Sequence, residues 1–524
     1  MKRRITFIQR PESPFVPEQV SISPAAVSVH GLDAAREDRI TLSLDDLPDE
    51  LRAVLEESHE LRLRWATERP FDAIAPFASR ISPGLHVHYT PQARNQASEG
   101  LCSLLRTVFG NREDGEAVVN CTTAEDTFIT TPLVSTRFAT SASLQYYTRL
   151  SSLRSFVAYI RRTACHQQQA GGTECHTRAD SLLNADTVDV DYDSISHALT
   201  ISGIWAQPPA DGWAEEVPKS ISSNDKVEFG VLSTDKGIEP SEIQVGGLLA
   251  VVGEDKKMKP TMFSFPSRHH RLPSDASYSV SFSKPTGLHP TMSITMQPPS
   301  LQRPPAPEDA TCALHTYLTL PSSVFGDQYQ LGTKDPLFLQ SHNLAALRAH
   351  AGEMDLEAPH WAVQSWGSTW LFELATPIAN DGADALGNRT ATIPLHLRYL
   401  PPSETGYRTT QVPWPVVFWA CTAEDGTKMG VNPFDRTNLG WDGLFGPRTM
   451  FYQLHPESGR LVEEIEVPVL KLRNGEGLFT AQMIELGTSL VILLGFLWVL
   501  WRVIQVGFMR PRPNSTRDRR EKKE

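Results

Sequence analysis

Short runs in which apolar and polar side chains alternate recur from the first residues of this chain onward, and prolines, glycines and aspartates close them. Arg4–Ile8, Ala26–Val29, Arg39–Leu44, Glu60–Trp65 and Gly84–Tyr89 read as β-strands on this pattern. Two stretches break the alternation with helical spacing. One follows Asp45 and Asp46, either of which suits an N-cap, with Pro48 in the first turn and Leu51, Val54 and Leu55 on one face. The other is Leu150–Arg162, where Leu153, Phe156, Val157 and Ile160 share a face. A second series of strands starts at Tyr278–Phe282 and runs through Tyr317–Leu320 to Leu395–Leu400.

The last apolar stretch, Gln482–Trp501, holds one charge, Glu485, in twenty residues. At 1.5 Å rise per residue it spans about 30 Å, the thickness of a bilayer core, and it is apolar on every face. It predicts a transmembrane helix over 482–504, with Trp498 and Trp501 as interfacial aromatics and Arg502 lifting its charge toward the headgroups. Glu485, about a turn inside the other end, fits either contact with an intramembrane partner or an interfacial position with access to water.

Four short correspondences keep the same order along the two series. Arg39–Leu42 matches Tyr317–Leu320, Leu85–Pro91 matches Leu395–Pro401, Glu254–Met258 matches Glu424–Met429, and Thr261–Phe263 matches Thr449–Phe451. Their order argues for duplication; their brevity fits coincidence among common strand residues. The expected fold is all-β: two antiparallel, sandwich-like domains at 1–270 and 275–460, the first carrying a cysteine-containing insertion. A stalk at 461–481, the helix at 482–504 and a basic tail at 505–524 follow.

Charge sets the orientation. The residues from Arg502 on carry eight basic and three acidic side chains; that excess of +5 leaves −17 on the rest of a chain whose total is −12. The basic tail belongs in the cytosol and the body on the opposite side, and a body this acidic is a poor nucleic-acid binder. The first ten residues do not build the apolar core of a signal peptide, which favours a tail-anchored arrangement with a cytosolic body. The sequons at Asn120 and Asn388 favour the other side; a third, at Asn514, lies in the tail. Six cysteines, Cys102, Cys121, Cys165, Cys175, Cys312 and Cys421, allow fifteen complete pairings, among which Cys165 and Cys175 would close a short polar loop.

Candidate chemistry is sparse. Asp189, Asp191 and Asp193 lie two apart, but a calcium loop would need glycine where Ser194 stands and glutamate where Thr200 stands, so a solvated strand face is expected. His86 and His88 share a strand face without a third ligand nearby, and His269–His270 reads as an exposed pair. Cys165–His166 and Cys175–His176 lack the usual zinc spacing. No G-x-S-x-G elbow and no phosphate-cradling glycine loop occurs. No cofactor and no metal is expected.

From Tyr278 on, the chain resembles the PIG-X family, and its long fungal members most. The resemblance rests on Pro285–Thr291, Cys312–Pro321, Asp355–Pro359 and above all Ile393–Pro402, with Pro394, Leu395, His396, Arg398 and Tyr399 as motif residues of expected structural role. It implies an endoplasmic reticulum membrane protein with a large lumenal region and a cytosolic tail. Such proteins bind and stabilise the multi-spanning, PIG-M-type catalytic subunit of glycosylphosphatidylinositol (GPI) mannosyltransferase I, which adds the first mannose to the GPI precursor from dolichol-phosphate mannose. Fungal members are also associated with folding of other proteins there. The alternatives are a general lumenal folding factor and an enzyme acting on glycan or lipid.

Overall fold

The computed structural model describes residues 1–10, 16–92, 99–110, 112–113, 116–117, 119–131, 143–165, 172–220, 225–284, 286–376, 387–424, 434, 438–472 and 481–508. Antiparallel sheet dominates it, and a single apolar helix stands at its C-terminal end. Two compact units divide the chain: Met1–Leu400 with Thr409–Val467, and Pro401–Arg408 with Pro468–Glu524.

In the large unit an eleven-stranded sheet is built from the first half of the chain. From one edge its strands are Lys259–Pro266, Glu242–Val251, Lys226–Lys236, Lys2–Gln9, Ala34–Ser43, Ala198–Trp205, Thr187–Asp193, Ser58–Ala66, Gly84–Pro91, Leu144–Thr148 and Ile129–Thr130. Lys2–Gln9 runs parallel to Lys226–Lys236 and antiparallel to Ala34–Ser43, so the first strand sits well inside the sheet. Its Ile5 and Phe7 are fully buried, Phe7 packing against Phe229 and Trp213. The expected helices form at Asp49–Glu56 and Arg154–Thr163, and Glu99–Phe109 and Gly172–Ser181 add two more from the cysteine-bearing stretch.

The second half supplies two further sheets. Six strands run in the order His269–His270, Thr449–Gln453, Val416–Thr422, Thr311–Pro321, Gly367–Leu374 and Leu344–Gly352. Four more run Arg389–Pro394, Thr291–Met296, Ser277–Phe282 and His455–Pro456. None of these three sheets mixes strands from before and after residue 267, yet the cores are shared. Trp366 and Ala351 lie in the apolar cluster of the first half, and Ala66 and Ile81 lie in that of the second, around Phe418 and Trp441. Gly367, at φ +150°, lets the chain pass the Leu320 carbonyl without collision and so sets Trp366 in place. Of the segments matched in sequence, Arg39–Leu42 and Tyr317–Leu320 both fall in interior strands. Leu85–Tyr89 lies in a buried eight-residue strand, whereas Leu395–Leu400 contributes only the two-residue strand His396–Leu397. Duplication of the two β domains stays a proposal.

The stretch read as a stalk begins inside the large unit, where Leu461 N–H donates to the Glu68 carbonyl at 2.7 Å. In the small unit Ser403 bridges to Lys471, and the helix Ala481–Phe508 follows, its stretch Met483–Val506 long and apolar enough to cross a membrane. Glu485 is exposed on it.

Burial keeps several histidines of the body neutral. Desolvation holds His86 down to about 4 and His88 to about 3 on the same strand, and His270 and His315 to about 4. The unfolded chain takes up those protons near pH 6.5, so stability present above that pH is lost as pH falls toward the folded values, by about 1.4 kcal/mol per pH unit for each such histidine. The denaturant midpoint of the body is therefore expected to fall already between pH 6.5 and 5, and His88→Gln to flatten that slope; a flat midpoint over this range would show that these rings are not buried neutral.

Candidate functional site

Three of the segments that carry the family resemblance come together on the large unit. The strands Thr291–Met296 and Arg389–Pro394 pair antiparallel with Thr291 opposite Pro394, so the chain before one lies beside the chain after the other. Leu395 N–H donates to the Pro290 carbonyl at 2.8 Å and Leu397 N–H to that of Leu288 at 2.9 Å. The alternation then works as on any strand: Leu395 and Leu397 point into the core while His396 points away. His396 meets His289 across the pair, Nδ1 to Nδ1 at 3.1 Å, and stacks on Phe325 with centroids 5.4 Å apart. Burial, with His289 adding to it, keeps His396 below the ordinary imidazole value. Pro285 lies outside the described residues.

Arg398 ties in the third segment. Only 2 % exposed, it lies with its guanidinium 4.2 Å from the Phe325 ring centroid, and its Nη1 donates to the carbonyls of Asp355 at 2.5 Å and Ala358 at 2.8 Å. His360 N–H donates to the Tyr399 carbonyl at 3.1 Å, which closes the loop against the strand. This framework leaves Leu356, Trp361 and Tyr399 exposed, the last two by more than 60 %. Polar backbone groups satisfied underneath and large amphipathic rings held outward make a surface suited to contact with another molecule. Leu356 and Tyr399 were within segments legible in the sequence; Trp361 and Phe325 were not singled out, though the proximity of Trp361 to Asp355–Pro359 is a signal for it.

The other candidates serve the fold. Asp189 is buried beside Arg64 at 3.4 Å, and Asp191 lies 3.7 Å from the same guanidinium, so the expected solvated face is instead an internal ion pair against the neighbouring strand. Asp193 accepts from the Ser196 hydroxyl at 2.7 Å and from the backbone N–H of Ser196 and Ile195 in the turn that follows, and these bonds hold its carboxyl below the usual range despite partial burial. His86 Nε2–H donates to the Ser82 carbonyl at 2.7 Å and its ring packs on Tyr147. His269, read as exposed, is buried against Trp441 and Phe451, because its strand pairs with Thr449–Gln453. Among the described residues no group of three or more His, Cys, Asp or Glu side chains is placed to hold a metal ion.

The cysteines pair Cys102–Cys121, Cys165–Cys175 and Cys312–Cys421. The last pair lies directly opposite on adjacent strands, Cα atoms 4.0 Å apart, and closes 109 residues. Asn120 and Asn388 are both exposed, Asn120 next to a paired cysteine and Asn388 just ahead of Arg389–Pro394. Asn514 and the loop 166–171 lie outside the described residues.

The family profile described as PIG-X / PBN1 matches residues 285–504, which include all three converging segments. Similarity to fungal relatives extends over the first half as well. Protein pbn1 of Emericella nidulans is 56 % identical with the whole of both chains covered, that of Neurospora crassa 40 % over 97 % of this chain and 95 % of its own, and PBN1 of Gibberella zeae 36 % over the whole of both. With identity at these levels from end to end, the chain belongs to the PIG-X/PBN1 family, whose members are proteins of GPI-anchor biosynthesis.

Proposed function

We propose that the chain is a non-catalytic subunit of GPI mannosyltransferase I, binding and stabilising the multi-spanning, PIG-M-type catalytic subunit in the endoplasmic reticulum membrane. It crosses that membrane once, with its β body in the lumen and its tail in the cytosol. The observation that carries this reading is the convergence of the family's segments on an exposed Leu356–Trp361–Tyr399 surface rather than on a reactive centre. Trp and Tyr supply large contact area at small entropic cost, which is why they dominate the energetics of interfaces. Three disulfides in the body support an oxidising compartment.

Stabilisation then works by mass action. A subunit that binds only the folded catalytic chain lowers the population open to degradation, by about 2.7 kcal/mol when it is present at 100 times its dissociation constant. Asp189 and Asp191, the acidic pair weighed above for a calcium loop, are committed to Arg64, which supports contact over chemistry as the means of action.

Depleting the chain is expected to lower the steady-state level of the mannosyltransferase. The double variant Trp361→Ala/Tyr399→Ala is expected to reduce its recovery in a mild-detergent pull-down by about tenfold or more, roughly 1.4 kcal/mol of binding, while its own unfolding midpoint stays put because both rings are exposed. Unchanged recovery would remove this surface from the interaction; an equal fall of unrelated lumenal proteins with no complex recovered would favour a general folding factor. For sidedness, Asn120→Gln and Asn388→Gln are each expected to remove one glycosidase-sensitive mobility step and Asn514→Gln none, whereas a glycan at Asn514 would invert the orientation.

A further inference from the structure

The segment Phe71–Arg80 and the strands that follow it from the second half enclose a cavity of about 160 Å³ inside the large unit. Its walls are cationic. Arg10, Arg80 and Arg271 line it against a single carboxylate, Asp72, which sits exposed at the rim. His270 and His455 also face it, both kept below the ordinary imidazole value by burial, so the balance at neutral pH comes from the guanidiniums.

Arg80 is the unusual member. It is 5 % exposed, and no carboxylate within ion-pair distance accompanies it among the described residues. Its Nη1 donates to the Phe71 carbonyl at 2.7 Å and its Nη2 to His455 Nδ1 at 3.2 Å, while its buried Nε–H has no partner among the described residues. His455 completes the relay by turning Nε2 toward the Leu272 carbonyl at 3.4 Å. A guanidinium does not shed its proton on burial, and a buried charge whose counter-charge, here the exposed Asp72, lies beyond ion-pair distance is costly. Arg64 shows the ordinary solution in this same fold, a buried aspartate beside it. At Arg80 that place is held by a cavity instead.

We propose that this cavity is an anion site taking one phosphate group, free or as the end of a phosphomonoester, with Arg80 at its floor and Arg10 and Arg271 beside it. The planar fork of arginine matches a tetrahedral oxyanion, and the enclosed volume admits one such group and excludes a nucleotide. Because Arg10 and Arg80 come from the first half and His270, Arg271 and His455 from the second, an anion here is also a clamp between the two. Gln453 already bridges at this spot, accepting from Arg80 N–H at 2.7 Å and donating to the Arg80 carbonyl at 3.2 Å. The inference does not depend on which protein the chain stabilises.

The test is thermal unfolding of the full chain, purified in detergent without phosphate, against added inorganic phosphate at constant ionic strength with chloride as the control. The midpoint is expected to rise and saturate with phosphate and not with chloride. Arg271→Gln, at the exposed rim, is expected to keep the phosphate-free midpoint and raise the half-saturating concentration about tenfold; Arg80→Gln, where it folds, is expected to abolish the response. Equal responses to phosphate and chloride, or an unaltered titration in Arg271→Gln, would overturn the proposal. Glycerol 3-phosphate and phosphatidic acid in mixed micelles identify the source: saturation by the lipid with displacement of inorganic phosphate assigns the site to a headgroup, and saturation by the soluble anions alone assigns it to free phosphate or a small ester.

Discussion

Apolar packing between the two halves is the interaction on which the large unit depends. Trp366 reaches from the second half into the core of the first, its indole N–H donating to the Gln145 carbonyl at 2.8 Å and its backbone N–H to that of Thr127 at 3.1 Å. In return, Ala66 and Ile81 of the first half fill the core around Phe418 and Trp441. A buried aromatic side chain removes about 150–250 Å² from water, worth roughly 4–6 kcal/mol at about 25 cal/mol/Å². That is a large share of the stability of any domain, so this packing couples the stability of the two halves. The near-complete coverage of the Neurospora crassa relative, across both halves, fits one jointly packed body.

Several of the charged side chains that this body does bury are matched by a partner of opposite sign. Arg3 with Asp38, Arg64 with Asp189 and Arg149 with Glu68 each join strands or segments distant in sequence. Arg36 lies among the rings of Phe7, Trp205 and Trp213 while paired with Asp38 and Glu215. Groups spent in this way specify register and packing. What the surface offers is shape and aromatic area at Leu356, Trp361 and Tyr399, held from beneath by Arg398.

The legible parts of the sequence were those governed by local period. Strands such as Lys2–Gln9 and Gly84–Pro91 announce themselves by alternation, and the C-terminal helix by unbroken hydropathy. The solvent exposure expected for Asp189 and for His269 failed for one reason: burial on a strand is decided by the neighbour across the sheet, Arg64 in one case and Phe451 in the other, and such neighbours lie more than a hundred residues away. The pairing of Cys312 with Cys421 was hidden likewise, since only the register of Thr311–Pro321 with Val416–Thr422 brings them opposite. The motif residues Leu395, His396, Arg398 and Tyr399 were found from resemblance, but the surface they support depends on a loop, Asp355–Trp361, docked by Arg398 and by the His360–Tyr399 backbone bond.

On the proposed reading, a disulfide-stapled β body, anchored by one helix, works on the lumenal side of the membrane. Protease added to sealed microsomes tests it most directly. The body is expected to survive intact, shortened only by loss of the residues after the helix, and to become fully digestible once detergent opens the vesicles. Digestion of the body in sealed vesicles, with the C-terminal residues spared, would contradict it.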